Sequence, residues 1–165
     1  MSDPSAFAIE TPRDFWRAIG CRAVGAAIVT TLGPDGPEGF LALSASHLCA
    51  SPPLMTVALD AGTTAGAALR ASGHFCINYL AADQRPLLDR FLSRDGPKGS
   101  ARFEGVALER LDTGAPVIAG GVGALDCRVE EMIERHGTTL VIGRLLRART
   151  GTGRAPLVSY AGAFS

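Results

Sequence analysis

The chain has 165 residues, of which 47% are hydrophobic and 19% charged, so one domain with a substantial core is expected. Its 16 basic and 16 acidic side chains cancel, and 6% of its residues are aromatic. These values argue against the basic, aromatic-rich surface with which many proteins bind nucleic acids.

The sequence also lacks the patterns of metal sites, export and membrane insertion. No CxxC occurs, and none of the four cysteines has zinc-finger spacing to a histidine, so buried free thiols and no metal are expected. The N-terminus is neither basic nor apolar enough for a signal peptide. Residues 39–59 carry no charge, but Pro52 and Pro53 interrupt this stretch and argue against a bilayer span. The expectation is a soluble, cytoplasmic protein.

Helices and apolar strands alternate in the first half of the chain. After a flexible lead-in at 1–10, Thr11 as N-cap and Pro12 at the first helical position predict a helix that ends at Gly20. The turn formers of GPDGPEG (33–39) reverse the chain. In order, we predict a helix at 11–20, strands at 24–32, 40–48 and 54–60, a helix at 63–73, a strand at 74–80 and a helix at 83–94 capped by Asp83.

The second half is predicted to be mostly β. Residues 95–116 are expected to form loops, and RHGT (135–138) is the best hairpin candidate. The predicted strands of this half are 123–134, 139–150 and 155–164. A βαβ unit at 54–80 would suit a parallel sheet, whereas the hairpins favour an antiparallel barrel with a few helices, which explains more of the chain.

The uncharged segment LALSASHLCASPP (41–53) concentrates hydroxyl and thiol groups. Ser44 and Ser46 share a face if the segment is a strand, and Cys49 and Ser51 are expected in a loop after it. Neutral hydroxyls and close backbone amides can hold a phosphate without Arg or Lys. The alternative is that these are small core residues whose polar atoms bond to the backbone.

Several segments, in order, resemble one known family. They are AVGAAIVTTLGPDGPEGFLALSASHLCASPPLMTVAL (23–59), TTAGAALRASGHFCINYLAADQRPLLDRF (63–91), RFEGV (102–106), TGAPVIAGGVGALDCRVEE (113–131), TLVIGRLLRA (139–148) and PLVSYAGAF (156–164). From about Phe15 onward the chain is similar to the flavin reductase-like family, the flavin-binding split barrels. The resemblance implies a mainly β domain at 11–165, a six-stranded antiparallel split β-barrel of the FMN-binding type with attached helices. It also implies a homodimer with flavin near the subunit interface.

The resemblance also implies which residues contact the flavin. The family's phosphate and ribityl loop falls on Leu43, Ser44, Ala45, Ser46 and Cys49. The segment beside its isoalloxazine falls on Ala58, Leu59 and Asp60, followed by Thr63 and Thr64. Its strand asparagine matches Asn78, and its basic-aromatic pair matches Arg90 and Phe91. Simpler roles stay open: Thr63 and Thr64 as helix caps, Asn78 as a strand-end cap and Arg90 as a solvated charge.

The turn at 134–143 departs from the family pattern. The family often reads GDHTLVIG, with its histidine near the nicotinamide and the flavin. Here Thr138 occupies that position, and His136 lies two residues earlier. Either His136 reaches the site through a rearranged turn or Thr138 replaces the histidine; these two residues are the catalytic candidates.

The family resemblance implies a flavin reductase that transfers hydride from NADH or NADPH to FMN, or less readily to FAD. Reduced flavin would then pass to a partner monooxygenase. Two alternatives remain open: a flavin-binding protein without efficient nicotinamide turnover, and a split barrel for another ligand such as haem or a deazaflavin.

Overall fold

The computed structural model describes residues 6–165, so half of the predicted lead-in, residues 1–5, lies outside the described residues. Residues 6–10 are exposed and have no regular secondary structure. The helices are α1 (Pro12–Ile19), α2 (Thr64–Ser72) and α3 (Arg85–Leu92), with short 3-10 helices at Ala82–Gln84 and Gly99–Phe103. The strands are β1 (Val24–Gly25), β2 (Ala27–Gly33), β3 (Gly36–Ala42), β4 (Ser46–Ala50), β5 (Pro53–Asp60), β6 (His74–Tyr79), β7 (Leu108–Arg110), β8 (Pro116–Ile118), β9 (Gly123–Arg135), β10 (Thr138–Arg149), β11 (Val158–Tyr160) and β12 (Ala163–Phe164).

An antiparallel sheet of seven strands dominates the fold, in the order β3-β2-β6-β9-β10-β5-β4. The mainly β expectation with attached helices is confirmed. The βαβ alternative is wrong, because β9 and β10 separate β5 from β6 in the sheet. The predicted count of six strands is also wrong: residues 43–45 leave the ladder and divide the predicted 40–48 strand into β3 and β4.

Capping residues in the sequence correctly predict where the helices begin, except at the start of α3. The Thr11 hydroxyl accepts from the Asp14 amide at 3.2 Å, and the Thr11 amide donates to the Asp14 carboxylate at 2.9 Å. The Thr11 hydroxyl also donates to the Asp14 carboxylate at 2.6 Å, and this bond and the one from the Thr11 amide lower the pKa of Asp14. Asp83 does not cap α3: the N-cap is Gln84, and the Asp83 carboxylate instead pairs with Arg154.

The inward face of the sheet holds the main core. Along β5 the side chains of Met55, Val57 and Leu59 are buried, and the side chains between them are more exposed. This alternation is typical of a strand in a sheet with one buried face. Phe75 lies at the centre of this core with none of its surface exposed. Its ring occupies the space beside Gly143, where a side chain would collide with it.

A buried polar cluster attaches the 113–118 segment to the outward face of β6 and β9. Asn78 is 1% exposed; its amide nitrogen donates to the Ile28 carbonyl at 3.1 Å, and its oxygen accepts from the Ile118 amide at 2.8 Å. Asp126 accepts from the Thr113 amide at 2.8 Å. These contacts use the polar atoms of Asn78 inside the chain and give it a structural role.

The thiols differ from the expectation. Cys76 and Cys127 are buried, and burial raises the pKa of both, that of Cys127 to about 12. Cys21 is exposed and Cys49 is half-buried, so the prediction of buried thiols is wrong for those two. Cys49 also lies within β4 and not in a loop. Within residues 6–165, no helix has the length and apolar character needed to cross a membrane.

We predict that Gly143→Ala destabilises the fold by about 1–3 kcal/mol, the usual range for an overpacked core. A Cβ at this position would lie 2.5 Å from Phe75 Cε1, and the buried ring has little room to move. Urea unfolding monitored by circular dichroism measures the change. Adding Phe75→Leu should recover part of the loss, and strictly additive effects of the two substitutions would contradict the proposed collision.

Candidate functional site

The segment 43–45 connects β3 to β4 and is held against β5 by one side chain. The Ser44 hydroxyl accepts from the Ala58 amide at 2.9 Å and donates to the Ala58 carbonyl at 3.2 Å. Since Ser46 pairs with Thr56, the next position along the ladder is Ser44 opposite Ala58. The hydroxyl therefore takes the place of the backbone groups that would continue the ladder, and its donor is used within the chain.

Because the Ser44 side chain makes these bonds, the backbone amides of the 43–45 segment remain as hydrogen-bond donors. Within residues 6–165, no hydrogen bond takes its proton from the amides of Leu43, Ser44 or Ala45. Ser46 is exposed, and its hydroxyl makes a single 3.3 Å contact with the carbonyl of its neighbour His47. Free amides and a neighbouring hydroxyl, with no carboxylate in the segment, suit an anionic group.

An apolar strip adjoins these donors on the outward face of β5 and β10. Ala58 pairs with Leu140, and Thr56 pairs with Ile142. These four side chains are partly or fully exposed, so a planar apolar group has a surface beside the 43–45 segment. The Leu59 side chain points the other way, into the core.

A depression of about 200 Å³ lies on the other face of the sheet, between α2, the loop after β5 and the β9–β10 hairpin, because Glu134, Thr139 and Leu59 pair with one another on the inner face. The Ala61 amide donates to the Gly137 carbonyl at 2.8 Å, and Thr138 pairs with Asp60. The lining includes Asp60, Thr63, Arg70, Met132, Glu134 and Thr139. Thr63 caps α2, its hydroxyl accepting from the Gly66 amide at 3.1 Å, and Thr64 is exposed beside it.

The predicted hairpin is confirmed, and its turn consists of His136 and Gly137. Both residues have positive φ, 49° and 77°, as required at the two central positions of a type I′ turn. Gly137 adopts this conformation without strain, and histidine is among the residues that tolerate it. His136 and Thr138 are both exposed at the end of the molecule that carries the depression.

The charged groups of the depression come from distant parts of the sequence. Arg70 of α2 and Glu134 of β9 form an ion pair, with Nη2 and Oε1 separated by 2.7 Å. Neither residue is predicted from the sequence, because a charge on a helix and one on a strand give no local sign that they meet. The sequence predicts the β9–β10 hairpin and α2, but it does not predict how these two elements lie relative to each other.

Arg90 and Phe91 lie in α3 and contact a different segment. The Arg90 Nη1 donates to the carbonyls of Arg102 and Glu104, at 3.0 and 2.7 Å. The Phe91 ring packs edge to face against Phe103, with 5.6 Å between the ring centroids. Neither residue lines the depression. The structure brings together Leu43, Ser44, Ala45, Ser46 and Ala58, with Cys49 further along β4. Asp60 and Thr63 line the depression, and Thr64, His136 and Thr138 are exposed at the same end of the molecule.

The chain is similar in sequence and in fold to several known proteins. The chain is 32% identical over 155 residues to the FMN reductase (NADH) RutF of Ancylobacter novellus, covering 94% of this chain and 83% of the relative. It is 30% identical to the reductase subunit HsaB of a flavin-dependent monooxygenase from Rhodococcus jostii, covering 93% and 77%. The NADH:FAD oxidoreductase of Streptomyces globisporus has the same fold, with a TM-score of 0.87, 27% identity and coverage of 99% and 98%. Residues 19–165 match the flavin reductase like domain, and the chain belongs to that family.

Proposed function

We propose that this protein is a flavin reductase that transfers hydride from a reduced nicotinamide to FMN, with FAD as the second choice. The observation that carries the proposal is the 43–46 segment, where free amides and the Ser46 hydroxyl adjoin an apolar strip. A flavin needs both features, because its tail is anionic and polar and its ring system is flat and largely apolar. The donor set and the strip therefore fit a flavin.

The relatives support the choice of reaction. One is named an FMN reductase (NADH), another a monooxygenase reductase subunit, and a structural neighbour an NADH:FAD oxidoreductase. We accordingly propose NADH as the donor and a partner monooxygenase as the consumer of the reduced flavin. We further propose a split barrel over residues 11–165, acting in the cytoplasm, where the free cysteines stay reduced.

In this proposal the chain binds and aligns the reactants. A bound flavin would supply the hydride-accepting chemistry. The amides of 43–45 and the Ser46 hydroxyl would hold its phosphate, and Ala58 and Leu140 would exclude water from one face of its ring. The hairpin end of the strip, where Asp60 pairs with Thr138, would admit the nicotinamide. Hydride transfer itself needs no acid or base, which agrees with a flavin surface that lacks ionisable groups along 43–46.

The test is the absorption spectrum of the purified protein with added FMN, followed by steady-state oxidation of NADH. Flavin bands and turnover are expected. Flavin bands without turnover would favour a flavin-binding protein, and a haem or deazaflavin spectrum would favour a split barrel for another ligand. Absence of FMN binding and of turnover would contradict the proposal.

We predict that Ser44 contributes to the stability of the fold and that Ser46 contributes to FMN binding. Ser44→Ala removes both bonds to Ala58 and should lower the free energy of unfolding by about 1–2 kcal/mol. Ser46→Ala should leave unfolding nearly unchanged, but weaken FMN binding by at least about tenfold, as expected for one hydrogen bond to a charged acceptor. Riboflavin, which lacks the phosphate, serves as the control and should lose less affinity. Equal losses for FMN and riboflavin, measured by flavin fluorescence, would argue against a phosphate contact.

We predict that substitutions in the hairpin turn change the kinetics with NADH and leave FMN binding unchanged. If His136 positions the nicotinamide, His136→Ala lowers kcat/KM for NADH several-fold and leaves FMN affinity unchanged, because the exposed turn lies beyond Asp60–Thr138, the last pair of the β5–β10 ladder, and does not contact the 43–45 segment. Thr138→Ala is the matched comparison on the same hairpin. A larger loss in Thr138→Ala would assign the role to the hydroxyl, and unchanged kinetics in both variants would refute a role for the turn.

We also propose a homodimer that covers α1. No residue of α1 is buried, Trp16 is 63% exposed and Phe15 is 47% exposed, which leaves a bare apolar surface. Since Trp16 is the single tryptophan, its emission should be that of a covered indole at micromolar protein and shift to the red on dilution. Trp16→Lys should give a monomer by light scattering, whereas Leu108→Lys, on exposed β7, should not. A monomeric mass for the flavin-loaded wild type would contradict the dimer.

A further inference from the structure

A second depression, of about 130 Å³, lies on the outward face of the sheet at the start of β6, and we call it the β6 depression. The end of β2 and the loop that follows β7 enclose it, and its lining includes Leu32, His74, Arg110 and Gly114. His74 shares the outward face with Asn78, because alternate residues of a strand lie on the same face. Among the described residues that line the β6 depression, none is acidic.

The Arg110 side chain reaches into the β6 depression. Its Nη1 lies against the backbone of Gly114, 3.9 Å from the position that a Cβ would take there. The neighbouring carboxylates of Glu109 and Asp112 are paired with other arginines. Arg110 itself forms no ion pair within residues 6–165. Its guanidinium is therefore available to a ligand.

Arg128 adds a second guanidinium beside the β6 depression. It lies on β9 directly opposite His74 of β6, so the two side chains are neighbours on the outward face. On its other side Arg128 is opposite Arg144, which is paired with Glu130. Arg128 has no such partner in the part of the chain that the structure describes. Since like charges at opposed positions of a ladder repel each other, an anion beside Arg128 would relieve an unfavourable interaction.

The carboxylate of Asp126 lies on the same face of β9 but is bonded within the chain. None of the surface of Asp126 is exposed, and it accepts from both the amide and the hydroxyl of Thr113. One buried carboxylate against two unpaired guanidiniums leaves an excess of positive charge at the β6 depression. The His74 imidazole adds an N–H donor at the same place.

We propose that Arg110, Arg128 and His74 bind the phosphate group of a small ligand. A phosphate monoester carries about −1.5 to −2 charges near neutral pH and so matches two guanidiniums, whereas a carboxylate supplies a single charge. The planar fork of an arginine also fits phosphate oxygens. The exposed side chain of Leu32 offers a contact for an apolar part of the ligand.

This site is separate from the proposed flavin surface. It lies on β2, β6 and β9, whereas the 43–46 segment lies beside β5 at the opposite edge of the seven-stranded sheet. The inference goes beyond the proposed function and does not depend on it.

The experiment is calorimetric titration of the full-length protein with inorganic phosphate, with acetate as the comparison anion. The wild type should bind phosphate at least about tenfold more tightly than acetate. Arg110→Gln and Arg128→Gln should each weaken phosphate binding about tenfold or more, the usual loss for a hydrogen bond between charged groups. Arg110→Gln should leave FMN affinity unchanged.

Arg94→Gln is the matched control. Arg94 is also exposed and has no ion pair among the described residues, but it lies outside the β6 depression. Its substitution removes the same charge and should leave phosphate affinity unchanged. Arg110 and Arg128 lie on different strands, so if one of their variants fails to fold, the other decides.

Four results overturn the inference. They are no phosphate binding by the wild type, acetate binding as tight as phosphate binding, an equal loss of phosphate affinity in Arg94→Gln, and an equal loss of FMN affinity in Arg110→Gln. The last result would place the flavin phosphate in the β6 depression and exclude a separate site. None of these measurements uses NADH oxidation, so they decide the inference even if the proposed function fails.

Discussion

The hydroxyl of Ser44 bonds to both the amide and the carbonyl of Ala58, and the candidate flavin site depends on this contact. A regular continuation of the β4–β5 ladder would use the backbone of residue 44 for these bonds. Because the side chain makes them instead, the chain turns away from the sheet and keeps its own amides free. The same contact accounts for the division of one predicted strand into β3 and β4. Serine suits the position because its hydroxyl can donate and accept at once.

The alternation of side chains along β5 separates the core from the functional surface. Val57 and Leu59 complete the core around Phe75, while Ala58 and Thr56 face outward beside Leu140 and Ile142. Small outward residues keep the surface flat, and Gly143 gives the Phe75 ring its space on the inner side. The inner face is thus packed for stability, and the outer face next to Ser44 carries no charge along the strip.

The depression has a different chemistry because three separate elements meet there. The N-cap of α2 brings Thr63 and its last turn brings Arg70. The end of β9 brings Glu134, and His136 and Thr138 are exposed in the nearby hairpin turn. The bond from the Ala61 amide to the Gly137 carbonyl holds the hairpin against the loop after β5. The neutral surface beside Ser44 and the charged depression therefore lie on opposite faces of the sheet.

Local patterns by themselves determined much of this protein. The Thr11 capping box, the Thr63 cap and the β9–β10 hairpin were predictable because each depends on residues a few positions apart. The ordered resemblance also indicated the family, which the match over residues 19–165 shows. Asn78 shows the limit: a strand's period tells which side chains share a face, but not which segment covers that face. Only the tertiary structure placed Asn78 against Ile118, Ser44 on Ala58 and Arg70 on Glu134. These partners are 40, 14 and 64 positions apart, and contacts at such separations are set by how the strands pair, a choice that no local pattern contains.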